Sequence, residues 1–219
     1  MNVKKVEPES ILQELIDRYP ALEACRESIV QAFDALVRTH GSDGKLLIAG
    51  NGGSAADSDH ISGEMTKSFR FKRALDPVLQ SRLEELYGDD GVELSKNLEG
   101  GLKAIPLTVF NAANSAFNND VAPEAAYAQL VQVFGREGDV FLGITTSGNS
   151  KNIILALMAA NARGMTTVAL TGSKGGKCAG LADICIRVPE DETFKVQELH
   201  LPVYHALCAM VESALFSER

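Results

Sequence analysis

Apolar residues recur at intervals of three and four through the first forty positions, as Ile11, Leu12, Leu15 and Ile16 and then Ile29, Phe33, Leu36 and Val37. That spacing lines one stripe of a helix, so the chain is expected to open with amphipathic helices over 8–40, broken near Tyr19-Pro20, where proline cannot donate to the preceding turn. After residue 45 the rhythm changes. Short apolar runs at 45–50, 104–110, 139–146, 166–171 and 184–189 alternate with helical stretches at about 54–69, 122–135, 151–163 and 194–216. Strands that are apolar at nearly every position are buried on both faces. The alternation therefore predicts an α/β fold, a five-stranded parallel sheet between two helical layers, with the N-terminal helices added. Ligands of such sheets bind beyond the carboxyl ends of the strands, which directs attention to the loops after residues 50, 110, 146 and 171.

One segment falls outside this rhythm. Residues 72–103 offer a helix at 76–87, a turn-rich Gly88-Asp89-Asp90-Gly91 and a Gly100-Gly101 break. A connection of this length inside an α/β unit reads as a lid, a partner surface or an insertion.

Composition narrows the class without changing the architecture. A chain of 219 residues, 45% hydrophobic and 23% charged, has enough apolar material for one domain with a sizeable core. No apolar run approaches the roughly 20 residues of a membrane helix, and the N-terminus lacks a secretory apolar stretch, so the expected location is cytoplasmic. The cysteines Cys25, Cys178, Cys185 and Cys208 have no CxxC spacing and read as reduced thiols. A net charge of −8 with no Lys/Arg cluster argues against nucleic acid as a partner. It leaves an anionic small molecule open, because backbone N–H groups at helix N-termini act locally.

Two loops have the character such a ligand needs. After the first strand, Asn51-Gly52-Gly53-Ser54 permits a tight turn, with Ser54 expected to cap the next helix; alone it equally describes an ordinary turn. After the third strand, Thr145-Thr146-Ser147-Gly148-Asn149-Ser150 runs into a helix. Its hydroxyls beside free N–H groups suit a phosphate, or form a simple capping cluster. Three of the four histidines fall in two helical segments. His60 and Glu64, four apart, share a helix face and read either as a surface pair or as part of a site. Gln197 and His205, eight apart, differ by about 80° around the final helix, which Pro202 should bend. His205 among Leu201, Leu207 and Met210 reads as a core histidine as readily as a ligand, although two histidines with a carboxylate form a ligand set that suits zinc.

Taken in order, these segments resemble the sugar isomerase (SIS) domain, and within it the phosphoheptose isomerases. The matching stretches are 49–57 with His60 and Glu64, Asn119-Asp120, 135–140, 145–150, Leu170-Thr171-Gly172 with Gly175-Gly176, and Gln197-Glu198 with His205. The likeness spans nearly the whole chain except 72–103. It implies a three-layer αβα SIS fold and interconversion of sedoheptulose 7-phosphate and glycero-manno-heptose 7-phosphate. It also implies Glu64 and His205 as the acid–base pair, and sugar-phosphate binding by Asn51, Gly52, Gly53, Ser54, Glu64, Asn119, Asp120, Thr145, Thr146, Ser147, Ser150 and Gln197. Zinc, one per subunit, would lie on His60, Glu64, Gln197 and His205. A homotetramer and a route toward lipopolysaccharide heptose or another surface glycan are implied as well.

The chain departs from the family pattern in three places. Lys67-Ser68-Phe69-Arg70 stands where several members carry Gly-Arg-Tyr, Phe194 stands where some carry an acid, and 72–103 is longer than usual. Two other readings stay open, an SIS isomerase of another phosphosugar and a non-catalytic regulator that binds sugar phosphate. Regulators of that kind lack the catalytic pair, which Glu64 and His205 supply here.

Overall fold

A computed structural model describes residues 6–216. The N-terminal pattern becomes α1 (Pro8–Arg18), a 3₁₀ segment (Pro20–Cys25) and α2 (Arg26–Gly41). Five strands follow, β1 (Leu46–Ala49), β2 (Ala104–Pro106), β3 (Val140–Ile144), β4 (Thr166–Thr171) and β5 (Ile184–Arg187). They form one parallel sheet in the order β2-β1-β3-β4-β5. Between and after them lie α3 (Gly53–Thr66), α4 (Pro77–Tyr87), α5 (Asp89–Asn97), α6 (Asn111–Asp120), α7 (Ala126–Phe134), α8 (Lys151–Ala162) and α9 (Thr193–Leu215).

The strands divide their side chains between two cores. Leu46, Ile48, Val140, Leu142, Val168 and Leu170 pack with residues of α1, α2, α3 and α9. Leu47, Ala49, Phe141 and Ala169 pack with α7 and α8 on the other face. This period-two partition explains why the strands are apolar at consecutive positions, and it produces the three layers. Because β1 is followed by β2 on one side of the sheet while β3 lies on its other side, a crevice opens between the carboxyl ends of β1 and β3.

Several local expectations need correction. The run at 104–110 is a strand for only three residues. Pro106 brings no N–H to the ladder, which an edge strand tolerates, and the chain then winds into a 3₁₀ turn at Leu107–Val109. Gly88-Asp89-Asp90-Gly91 is not an extended turn region. Gly88 reverses the chain and Asp89 begins α5, with Gly91 seated so closely on α4 that a Cβ there would lie 2.0 Å from the Leu83 carbonyl oxygen. Ser54 does not cap α3. The helix starts at Gly53, after Gly52 with φ +55°, so Ser54 lies inside its first turn and is buried. The final helix continues through Pro202. Helices α4 and α5 pack mainly on each other, and Val78, Leu86 and Tyr87 stay exposed.

Candidate functional site

The loops at the carboxyl edge are tied together by short contacts. Asn51 and Asn152 exchange amide hydrogen bonds of 3.0 and 2.8 Å, joining the glycine loop after β1 to the start of α8. Tyr127 donates to the Gly50 carbonyl at 2.9 Å. Within the loop after β3 the Thr145 and Ser150 hydroxyls lie 2.9 Å apart, and Ser147 Oγ accepts the Asn149 N–H at 3.1 Å. Gly148, at φ +66°, rests against the Gly175-Gly176 backbone of the loop after β4, and its carbonyl accepts the Cys178 N–H at 3.0 Å. Ser150 is the residue before α8 and makes no capping bond to it; the Ile153 N–H is taken by Asn152 Oδ1 at 3.0 Å, which leaves the N–H groups of Lys151 and Asn152 at the helix start beside the hydroxyls. Hydroxyls and N–H groups aimed at one helix N-terminus can hold a phosphate dianion without a lysine or arginine.

A second cluster lies farther along α3 and α9. Both helices start at this carboxyl edge: Gln197 packs so closely on Gly53 that a Cβ there would lie 2.5 Å from its Nε2. His60 Nε2 is 3.2 Å from Glu64 Oε1, and its Nδ1 is 3.0 Å from Tyr204 Oη. Tyr204 in turn donates to Asp57 Oδ1 at 3.2 Å. The His60 and His205 rings stand edge-on with centroids 4.9 Å apart, and Phe69 lies over His205 at 5.6 Å. The cluster is therefore a chain of polar contacts, Asp57–Tyr204–His60–Glu64, with His205 against its middle.

Burial sets the electrostatics. It raises the Asp57 carboxyl above the usual carboxylate value, with the Tyr204 hydroxyl opposing. Burial and the neighbouring Asp57 push the Tyr204 phenol well above its ordinary range. His205 is lowered by burial and by His60, with Glu64 opposing, so it is predominantly the neutral imidazole at pH 7. Its Nε2 is buried with no hydrogen-bond partner, as is Glu64 Oε2, which has Lys67 Nζ at 3.5 Å.

The expected metal ligands are tested by these positions. Two imidazoles, a carboxylate and an amide oxygen form a donor set that suits zinc, and the buried, unpartnered His205 Nε2 is the kind of atom a cation would satisfy, whereas Glu64 Oε2 already has the Lys67 ammonium. Among the described residues, however, no three His, Cys, Asp or Glu side chains converge on one point. Gln197 stands about 12 Å along the axis of α9 from His205, beside the glycine loop rather than in the histidine cluster.

Sequence reasoning thus named residues that the fold gathers in two places. Asn51, Gly52, Gly53, Ser54, Thr145, Thr146, Ser147, Ser150 and Gln197 lie at the loop crevice, whereas His60, Glu64 and His205 lie together deeper along the helices. Asn119 and Asp120 stand elsewhere, at the exposed end of α6, where Asn119 Nδ2 donates to Asp120 at 2.7 Å. Asp57, Tyr204 and Asn152 were missed. Asp57 precedes His60 by three on one helix and Tyr204 adjoins His205, but neither type announces itself without its partner. His200 is fully buried, in keeping with a structural role.

Comparison with known proteins finds phosphoheptose isomerases among both the curated relatives and the solved structures. Residues 116–213 match the SIS domain. A phosphoheptose isomerase of Aneurinibacillus thermoaerophilus is 38% identical over 191 residues, covering 87% of this chain and 83% of that protein. Among solved structures, the phosphoheptose isomerase of Neisseria gonorrhoeae is 34% identical with a TM-score of 0.70, over 91% of this chain and 94% of that one. The phosphoheptose isomerase of Francisella tularensis is 29% identical with a TM-score of 0.71, over 93% and 95%. No helix among the described residues is long and apolar enough to cross a membrane.

Proposed function

The chain belongs to the phosphoheptose isomerase family of SIS-domain aldose–ketose isomerases, and from that premise we propose that it interconverts sedoheptulose 7-phosphate and glycero-manno-heptose 7-phosphate. The observation that supports the reading is the placement of His60 against both Glu64 and His205, at a distance along α3 from a crevice lined by hydroxyls and N–H groups. Ser54 and Glu64 are ten residues apart on one helix, about 15 Å of axis, which suits a substrate whose phosphate and carbonyl are at opposite ends of an extended chain.

Moving a carbonyl between C2 and C1 requires removal of a proton from the carbon beside it and stabilisation of the enediolate that results. Glu64 takes the proton from C1 and returns it to C2. His205, predominantly neutral at pH 7, moves a proton between the two substrate oxygens. His60 holds the Glu64 carboxylate through its Nε2 and is itself held by Tyr204, so the base has a fixed orientation. Thr145, Thr146, Ser147 and Ser150 hold the phosphate with the N–H groups of α8, while Asn51, Gly52, Gly53 and Ser54 close the crevice from the other side. Asn119 and Asp120, which stand apart from both clusters at the end of α6, are given no contact with the sugar within this chain.

His60, Glu64 and His205 would hold zinc, with Gln197, which stands apart from them, reaching it only from another copy of the chain. Bound there, zinc would supply Lewis-acid polarisation of the carbonyl. Coordination would lower the basicity of the Glu64 carboxylate. The distance between Gln197 and His205 supports a site completed between copies of the chain. So does the groove of about 320 Å³ lined by Ile11, Leu15, Tyr19, Phe69, Leu201 and His205, and association as a homotetramer is the state we assign. The cytoplasm is the proposed location and a heptose-bearing surface glycan the proposed destination.

Glu64→Gln tests the assignment. It keeps the shape and removes the base, so turnover of sedoheptulose 7-phosphate should fall by at least about 100-fold while sugar-phosphate binding, followed by calorimetry, stays within a fewfold. Substantial turnover in this variant would sink the role given to Glu64.

A further inference from the structure

Helix α3 ends two residues beyond Glu64, at Thr66, and helix ends are where backbone geometry is least secure. Its last four carbonyls, from Gly63 to Thr66, have no backbone partner within the helix. The residue that follows, Lys67, is extended and makes no capping bond. The Met65 carbonyl accepts the Leu102 N–H at 2.9 Å and the Gly63 carbonyl the Thr66 hydroxyl at 3.4 Å, and a residue farther on supplies the rest of the capping. Arg73 Nη2 donates to the Glu64 carbonyl at 2.7 Å and Nη1 to the Met65 carbonyl at 2.6 Å. Its Nε meets Glu212 Oε1 of α9 at 2.8 Å, and both side chains are fully buried. Glu212 also accepts the Phe69 and Arg70 N–H groups at 2.8 Å each, and Ser68 Oγ accepts the Arg73 N–H at 2.8 Å. The Phe216 ring covers the guanidinium, 4.8 Å from its centroid.

We propose that Arg73 and Glu212 are positioning residues for the isomerisation, clamping the backbone of Glu64 itself so that its carboxylate stays aligned with the substrate and with His60. This rests on the reading of Glu64 as the base. Stability alone does not account for the pair, because a buried ion pair is desolvated on both sides and well-packed apolar residues of similar volume serve as well or better. What apolar residues cannot supply is a planar fork bonded at once to two successive carbonyls and a carboxylate. The clamp also joins α3 to α9 seven residues beyond His205, so the base and its partner histidine are fixed by the same contact. A misplacement of about 1 Å in a reacting group costs on the order of 100-fold in rate.

Replacing both partners separates positioning from folding. The double variant Arg73→Met with Glu212→Leu leaves no unpaired charge, but it strips partners from the Glu64 and Met65 carbonyls and from the Phe69 and Arg70 N–H groups, so it should be less stable than the parent and is assayed well below its Tm. Its kcat should fall about 10- to 100-fold, with KM for sedoheptulose 7-phosphate changed less than about threefold. Arg73→Lys keeps the ion pair but gives up the fork, and should lose about tenfold in kcat with KM again unmoved. Should the double variant fail to fold, Arg73→Lys decides. Parental kcat in either folded variant, or a loss that appears in KM rather than kcat, would overturn the clamp. The two ideas fail separately: an active Glu64→Gln removes the base, whereas an inactive Glu64→Gln beside a fully active Arg73→Lys removes the clamp alone.

Discussion

Gly148 is where the hydroxyl loop and the loop after β4 touch, and replacing it with alanine tests whether that contact shapes the phosphate site. Its φ of +66° lies in the left-handed region, where an L side chain costs about 1–2 kcal/mol. An added Cβ would also lie 2.0 Å from the Gly175 carbonyl oxygen and 2.7 Å from the Gly176 nitrogen, both backbone atoms that no rotamer change can move aside. Forcing two packed segments apart adds roughly 1–3 kcal/mol. The expected total of about 2–5 kcal/mol corresponds to a Tm lower by about 4–20 °C in a chain of this size. Gly138 provides the control. It too has a positive φ, +85°, yet nothing lies within 4 Å of an added Cβ, so Gly138→Ala should cost only the backbone share, about 1–2 kcal/mol. Separating the loops also disturbs the Cys178-to-Gly148 bond and with it the hydroxyl array. KM of Gly148→Ala should therefore rise about tenfold or more, the worth of one hydrogen bond to a charged phosphate oxygen, while KM of Gly138→Ala holds. Scanning calorimetry and steady-state kinetics on the two variants check this. Equal losses of stability with KM unchanged in both would refute the idea that the loop contact shapes the phosphate site.

Two other outcomes concern protons and metal. Burial pushes His40 and His200 from 6.5 down to about 4, the Gly44 and Thr171 backbone opposing, so each stays neutral in the folded chain well below the pH at which it charges in the unfolded one. Stability is then full above pH 6.5 and declines as pH falls from 6.5 to 4, by at most about 3 kcal/mol per group. Urea unfolding at pH 7, 5.5 and 4 should show the decline, and His40→Gln should flatten part of it; an identical slope in that variant would count against the His40 share. Dialysis against a chelator should abolish turnover of sedoheptulose 7-phosphate and added zinc should restore it; chelated protein with unchanged turnover would remove zinc from the reading.

Periodicity made the sheet and its main helices legible because burial on both faces leaves an unbroken apolar signature such as Leu46-Leu47-Ile48-Ala49. It could not reveal α6, which buries none of its residues and carries asparagine at four of ten positions, nor α5, whose Gly91 serves close packing rather than a turn. Gly-Gly-Ser, the hydroxyl run and the His60/Glu64 spacing were visible because each is local. Arg73 and Glu212, 139 residues apart, and Tyr204 with Asp57, 147 apart, become meaningful only when α9 is laid beside α3. Asn51 and Asn152 are likewise ordinary polar residues until β1 and β3 are neighbours. Local chemistry was read directly, whereas the contacts that orient it depend on tertiary placement.

Helix α9 carries Gln197, Tyr204, His205 and Glu212 and also closes one face of the sheet with Val196, Val203, Leu207, Met210 and Val211. During synthesis these residues emerge after every strand has been made. Until then Leu46, Ile48, Leu142 and Leu170 have no α9 to pack against, and Arg73 lacks its buried partner. A chain without α9 would therefore leave that face of the sheet bare and Arg73 unpaired at once, so one late segment couples completion of the core to completion of the site.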